Sequence, residues 1–307
     1  MDTVGRAPQT AAGELAKSGP KLLVGLGELL WDQLPGGQQL GGAPANFAYH
    51  ASGLGNRGLI ASRIGSDGLG RQAVERLHEL ELDSSYLQID ETHPTGLVRV
   101  ELDESGQPAY SIRENVAWDF LEWTDRWHQL AEEAHVVCFG SLAQRFPQSR
   151  RTIRCFLEAL DHDCLSIFDV NLRQSYYSAE SVSQSLQLAK VLKVSEEERS
   201  SLSHLLHLNA GSGRDWARQV LRDYGLELVC ITRAAQGCLL VTESEWAEHP
   251  GFPVRVADAV GAGDAFTAAL SHQLLRGRPL RRIAETANCL GAWVASQVGA
   301  MPAIPWR

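Results

Sequence analysis

The sequence predicts an α/β fold: a mainly parallel sheet with helices on both faces. Two observations carry that prediction. Short apolar runs such as Leu22–Leu26, Val136–Phe139 and Leu228–Thr232 alternate with longer stretches of helical period. The runs are apolar throughout, as strands buried on both faces must be, and lack the in–out alternation of a half-exposed sheet.

Taken in order, Leu22–Leu26 is a buried strand closed by Gly27. Residues 45–54 read as a helix and 59–64 as the next strand. Asp67-Gly68-Leu69-Gly70 opens a helix with Val74, Leu77 and Leu80 on one face. Gly96–Leu102 and residues 109–112 flank Asp103-Glu104-Ser105-Gly106, a hairpin turn signal. Val136–Phe139 then precedes a helix over about 151–160, 166–170 one over 179–189, and 191–194 one over 196–206. A helix over 215–224 leads into Leu228–Thr232, and helices over 261–275 and 281–298 close the chain. Residues 32–42 and 95–118 break the rhythm, being polar, hairpin-like and without helical period.

The length, 307 residues, suits one large α/β domain with a small accessory part, or two ordinary domains. The net charge of −9 argues against a nucleic-acid partner. No stretch approaches 18 consecutive apolar residues, so no membrane span is expected. Residues 1–20 read as a disordered tail and not as a signal peptide. Six cysteines without a C-x-x-C read as reduced thiols of a cytoplasmic protein. Gly53-Leu54-Gly55-Asn56-Arg57-Gly58 fits G-x-G-x-x-G, but it follows a helix and precedes a strand, the reverse of the dinucleotide context. It reads as a helix end and turn.

The chemistry concentrates in Asp258-Ala259-Val260-Gly261-Ala262-Gly263-Asp264-Ala265-Phe266. Gly261 and Gly263 permit a tight turn, and apolar helix formers follow. Free amides at a helix start, with the positive end of its dipole, make an anion site. A carboxylate beside an anion site repels simple anions. It makes sense if Asp264 takes a proton from a hydroxyl that attacks a phosphoryl group, while the amides of Gly261, Ala262 and Gly263 stabilise the transferred charge. Upstream, Asp32, Gly41, Gly42 and Asn46 offer acceptors, donors and close backbone approach for a polyol. Asp169, Asn171 and Arg173 follow a strand end, where Arg173 can clamp an anion.

The glycine-rich turn resembles the D-T-x-G-A-G-D signature of the PfkB (ribokinase-like) sugar kinases. Gly41-Gly42-Ala43-Pro44-Ala45-Asn46-Phe47-Ala48 resembles their G-G-x-x-x-N-x-A element, and the elements keep family order from about Lys21 to Pro305. Residues 27–32, 42–46 and 168–173 are most similar to fructokinases. The resemblance implies a ribokinase-like three-layer sandwich over 21–307, with residues 32–42 and 95–118 as a small β lid over the sugar. It implies ATP and Mg²⁺ as cofactors, with sugar contacts at Asp32, Gly41, Gly42 and Asn46. It places Thr232, Gly237 and Asn288 on the ATP side and Glu198 and Asp169 near the metal, and it leaves K⁺ open at the carbonyls around Asp258. Three positions depart from the family pattern. Ser195 replaces Asn in N-x-x-E, Ala234 replaces Gly in T-R-G-x-x-G, and Ala259 replaces Thr. Other acceptors (2-keto-3-deoxygluconate, ribose, a nucleoside) and a sugar-binding regulator with weak turnover remain alternatives, as does a homodimer through the lid.

Overall fold

A computed structural model describes residues 19–34, 36–102, 108–208 and 211–305. The expected tail at 1–20, apart from Gly19 and Pro20, and the expected hairpin turn at Asp103–Gly106 lie outside the described residues.

Strand β1 (Leu22–Leu26) is buried along its length and divides its side chains between two cores. Leu22, Val24 and Leu26 join one and Leu23 the other, as period-2 alternation demands of a strand between two helix layers. The chain then leaves the sheet. β2 (Leu30–Leu34) and β3 (Gly37–Gly41) pair antiparallel, and helix α1 (Ala43–Gly53) returns to β4 (Arg57–Gly65), parallel to β1. α2 (Gly68–Glu79) precedes β5 (Leu87–Asp90), parallel to β4. β6 (Gly96–Leu102) joins β2 in parallel, and β7 (Pro108–Ile112) pairs antiparallel with β6.

From there strand and helix alternate. α3 (Asp125–Glu133), β8 (Val136–Phe139), α4 (Pro147–Glu158), β9 (Leu165–Asp169), α5 (Ala179–Leu188), β10 (Val191–Ser195), α6 (Glu196–Leu205), α7 (Gly213–Tyr224) and β11 (Leu228–Thr232) follow in turn. β12 (Cys238–Val241) and β13 (Trp246–His249) fold back antiparallel at the edge. α8 (Ala262–Leu274) and α9 (Leu280–Ala295) come last.

The large sheet has nine strands in the order β13-β12-β11-β10-β9-β8-β1-β4-β5, and a second sheet of four has the order β3-β2-β6-β7. Residues of α3 to α7 fill the core on one face of the large sheet; α1, α8 and α9 fill the other. The result is the three-layer α/β sandwich, with the small sheet in the position of a lid. β1 lies between β4 and β8, so the chain first runs outward through β4 and β5 and then reverses to the other side. Such a reversal opens a crevice beyond the carboxyl ends of the strands.

The sequence reading passed over α3 and the β12–β13 hairpin. It also set α4 four residues late, since Pro147 takes the first turn, where a fixed φ helps and no amide is needed. α9 ends at Ala295 instead of 298, with its cap at Ser296 and Gly299 at φ 83 beyond it. Among the described residues no helix is long and apolar enough to cross a membrane. All six cysteines are free, with Cys138, Cys164, Cys230 and Cys238 buried, Cys155 partly so and Cys289 exposed.

Candidate active site

The crevice receives the start of α8. Its cap, Gly261, has φ 78, and a Cβ there would stand 2.6 Å from Ala300 O. Only glycine fits both demands. The first bond of the helix closes from Ala265 N–H to Gly261 O at 2.9 Å, while Ala262 N–H turns back to Ala259 O at 3.3 Å. The amides of Gly263 and Asp264 therefore have no intrahelical acceptor, at the positive end of a 13-residue helix.

Asp264 sits within this turn, partly exposed. Its Oδ2 accepts from Asn46 Nδ2 at 2.7 Å, so the two glycine-rich motifs, 218 residues apart, are tied directly. Burial pushes its carboxyl up to about 6. The Asp169 carboxylate adds to this, and Asn46, Lys193 and Arg173 pull the other way.

The sugar-side residues come from the lid and α1. Asp32 lies on β2, and a Cβ on Gly41 would stand 2.4 Å from its Oδ2, so this glycine gives the carboxylate its room. Burial raises Asp32 to about 6, against the pull of Arg173. Gly42, at φ 108, caps α1, and a side chain there would strike Glu28 O at 2.5 Å. Asn46 is buried, its amide nitrogen on Asp264 and its Oδ1 sealed without a donor. Arg173 stands exposed on the loop after β9, which Asn171 turns at φ 46. Its Nη1 donates to Leu172 O at 3.0 Å, and among the described residues it makes no ion pair. Its charge pulls down the carboxyls of Glu28, Asp32 and Asp264 alike.

Under the anion turn lies a network that the sequence reading missed. Lys193 of β10 is buried, and its Nζ donates to both oxygens of Asp169, at 2.9 and 3.0 Å. Thr267 Oγ1 of α8 donates to Asp169 Oδ2 at 2.9 Å. A Cβ on Gly263 would stand 3.1 Å from Lys193 Nζ, so this glycine leaves room for the ammonium. Burial depresses that ammonium, but Asp169, Glu198 and Asp264 outweigh it and hold Lys193 above the ordinary lysine range. The signal was present in the sequence, because a lysine inside the apolar run Val191-Leu192-Lys193-Val194 must find a partner.

Glu198 Oε1 accepts from Leu172 N–H and Oε2 from Ser195 N–H, both at 2.8 Å, and Ser195 Oγ accepts from Glu198 N–H at 3.1 Å. This is a reciprocal cap on α6 that also holds the Arg173 loop. Among the described residues no three His, Cys, Asp or Glu side chains converge as a metal site. The oxygens of Asp169 and Glu198 are already engaged, so this donor set fits only a metal carried on phosphates and reached through water.

Thr232, Gly237 and Asn288 come together at the far end. Thr232 pairs with Cys238 across β11 and β12, Gly237 precedes Cys238, and Asn288 Nδ2 donates to Cys238 Sγ at 3.1 Å and to Ala284 O at 2.7 Å. Ala234 has φ 49, the left-handed conformation for which the family's glycine is suited. Asp258 pins the entry to the turn, accepting from Val260 N–H at 3.0 Å and Gly299 N–H at 3.1 Å.

The pfkB family carbohydrate kinase profile matches residues 28–307. The chain is 32% identical over 302 residues to a fructokinase of Escherichia coli, covering 92% of this chain and 95% of that protein. In three dimensions it is similar to a fructokinase of Xylella fastidiosa with bound ATP, with a TM-score of 0.80 and 25% identity over 92% of this chain and 95% of that one. A double-mutant fructokinase of Vibrio cholerae O395, in a fructose, ADP and potassium ion bound form, aligns with a TM-score of 0.77 and 25% identity over 92% of this chain and 94% of that one.

Proposed function

The chain belongs to the pfkB family of carbohydrate kinases, and we propose that it transfers the γ-phosphoryl group of ATP to the primary hydroxyl of a sugar, fructose first among acceptors. One observation carries the chemistry: Asp264 stands inside a turn where the Gly263 and Asp264 amides have no intrahelical acceptor, while Asn46, from the other glycine-rich motif, fixes its carboxylate.

Asp264 accepts the hydroxyl proton as the sugar oxygen commits to the γ-phosphorus. The bond from that phosphorus to the β–γ bridging oxygen breaks, and its electron pair leaves with ADP. A weak base suffices because proton transfer is late in such loose transition states. The amides of Gly263 and Asp264, with Gly261 and Ala262 shaping the turn, face the charge on the transferred group. Asp32, Gly41, Gly42 and Asn46 hold the sugar, and Arg173, without an ion pair among the described residues, meets phosphate or sugar oxygen. Thr232, Gly237 and Asn288 line the nucleotide end.

Mg²⁺ arriving with ATP would neutralise the phosphates, and Asp169 and Glu198 are the residues that would hold it there through water. The fructose reading rests on the relatives named fructokinase. The potassium in the Vibrio protein supports a monovalent cation at the carbonyls beside Asp258. Free buried thiols suit a cytoplasmic enzyme, and the open β3 and β7 edges of the lid sheet suit pairing with a second copy.

The test is kinetic. Asp264→Asn should lower kcat by roughly 10²-fold or more. ADP release across fructose, ribose, glucose, adenosine and 2-keto-3-deoxygluconate should give fructose the highest kcat/KM. Near-wild-type turnover by the variant removes Asp264 as base; another acceptor about tenfold better, or about 1.4 kcal/mol, removes only fructose.

A further inference from the structure

Glu28 follows Gly27 at the end of β1, on the floor of the crevice, and is 4% exposed. The transfer described above gives it no task. Its Oε2 is sealed from solvent and has no hydrogen-bond partner among the described residues, and the same holds for Asn46 Oδ1. The two lie against one helix start. Gly42, the cap of α1, touches the Glu28 backbone so closely that a Cβ would clash with it. The Ala43 amide acts on the Glu28 carboxylate, and Asn46 follows three residues on, along the same face of the helix. Asn46 in turn holds Asp264 at 2.7 Å.

The charges facing Glu28 are Asp264 from α8 and Arg173 from the loop after β9, with the buried Cys138 thiol of β8 also facing it, and Asp264 itself also faces Asp169 and Lys193. An ionised carboxylate oxygen sealed without a donor is costly. A proton changes that oxygen from an orphaned acceptor to a donor and removes one negative charge beside Asp264. Burial pushes the Glu28 carboxyl up to about 7. Asp264 adds to the rise, while the amides of Glu28 and Ala43 and the Arg173 charge oppose it.

We propose that Glu28 is a positioning residue kept as a neutral carboxylic acid, whose O–H is the donor that the sealed Asn46 Oδ1 lacks, and whose ionisation sets the alkaline limit of turnover. The inference rests on Asp264 acting as base through its bond to Asn46. When Glu28 loses its proton, two acceptors are left unpaired and a second negative charge stands beside Asp264. The amide that aims the base then loses its hold.

The first measurement needs no variant. In protein labelled with carbon-13 at the glutamate carboxyls, one resonance should titrate near 7, and it should move to lower pH in Asp264→Asn, where the neighbouring charge is gone. Glutamates that all titrate at their ordinary value overturn the proposal, whether or not any variant folds. The second measurement is the pH profile of kcat/KM. Glu28→Gln, a neutral donor of the same shape, should remove the alkaline limb; a wild-type limb in that variant overturns the assignment. Glu28→Met, of similar length without a donor, should fall about tenfold or more below Glu28→Gln in kcat. Equal kcat for the two excludes the donor role. A fully active Asp264→Asn would sink the base itself and leave the glutamate titration to be read independently.

Discussion

Asp264 does opposite things at the two ends of its titration. It must be ionised to take a proton, so turnover is present above its value of about 6 and lost as pH falls through it. What keeps that value from rising further is first the Asn46 hydrogen bond and then positive charge, from Lys193 locked on Asp169 below and from Arg173 in front. Lys193 cannot be removed cleanly, since its loss leaves the buried Asp169 charge without its counter-ion. Arg173 is exposed and makes no ion pair among the described residues, so its charge can be deleted without a buried vacancy. Arg173→Gln should shift the acid limb of kcat/KM to higher pH, because a favourable neighbour of the ionised form is gone. Rate profiles of the two proteins between pH 5 and 8 decide this, and a limb that stays or moves down assigns Arg173 no electrostatic hold on the base.

Among the secondary-structure elements, α6 shows how a residue outside the family pattern can still be placed. Ser195 ends β10, caps α6 and receives Glu198 in return, and both oxygens of Glu198 are taken by backbone amides. The position is a cap first. Ser195→Ala should cost about 1 kcal/mol of stability in denaturant melts, while Ser195→Asn, a good cap, should stay within a few tenths. Magnesium titrations of activity should superimpose for all three proteins; a lower requirement in Ser195→Asn would bring the side chain into the metal's water shell. The same element marks how far the sequence could be read. Strands and helices that bury apolar faces stood out from their periodicity, and Gly41, Gly42 and Gly261 stood out because backbone approach excludes a side chain there. Lys193 signalled only that it needs a partner and not which one, and Thr267 and Glu28 did not stand out at all. Asp169 meets its partners 24 and 98 residues away, and such pairings belong to the crossing of β9, β10 and α8 and not to any local pattern. The β12–β13 hairpin escaped for a simpler reason, as four apolar residues can belong to a strand of either direction.

For the whole molecule, the crevice is a place where folding stability is spent. Glu28 near 7 and Asp32 and Asp264 near 6 all lie above ordinary carboxylates, so these three groups bind more protons in the folded chain than in the unfolded one between about 4 and 7. Their contribution falls as pH rises through that window. His50 and His272, held near 4 by burial, act in the other direction, and stability falls as pH drops from 6.5 toward 4. The two sets oppose each other below 6.5; above it the histidines are silent and the carboxylates alone decide. Asp264→Asn removes one of them. It should melt above the wild type at pH 8, by a few degrees for about 1–2 kcal/mol after allowing for partial exposure, and the difference should nearly vanish at pH 4, where the wild-type carboxyl is already protonated. Ligand-free melts at pH 4, 6 and 8 measure it. A variant that melts lower at pH 8 would make Asp264 a structural residue, and its lost turnover would then say nothing about the base. A variant that melts higher and turns over about 10²-fold slower has given up function and gained stability, the trade expected of a carboxylate kept charged for chemistry.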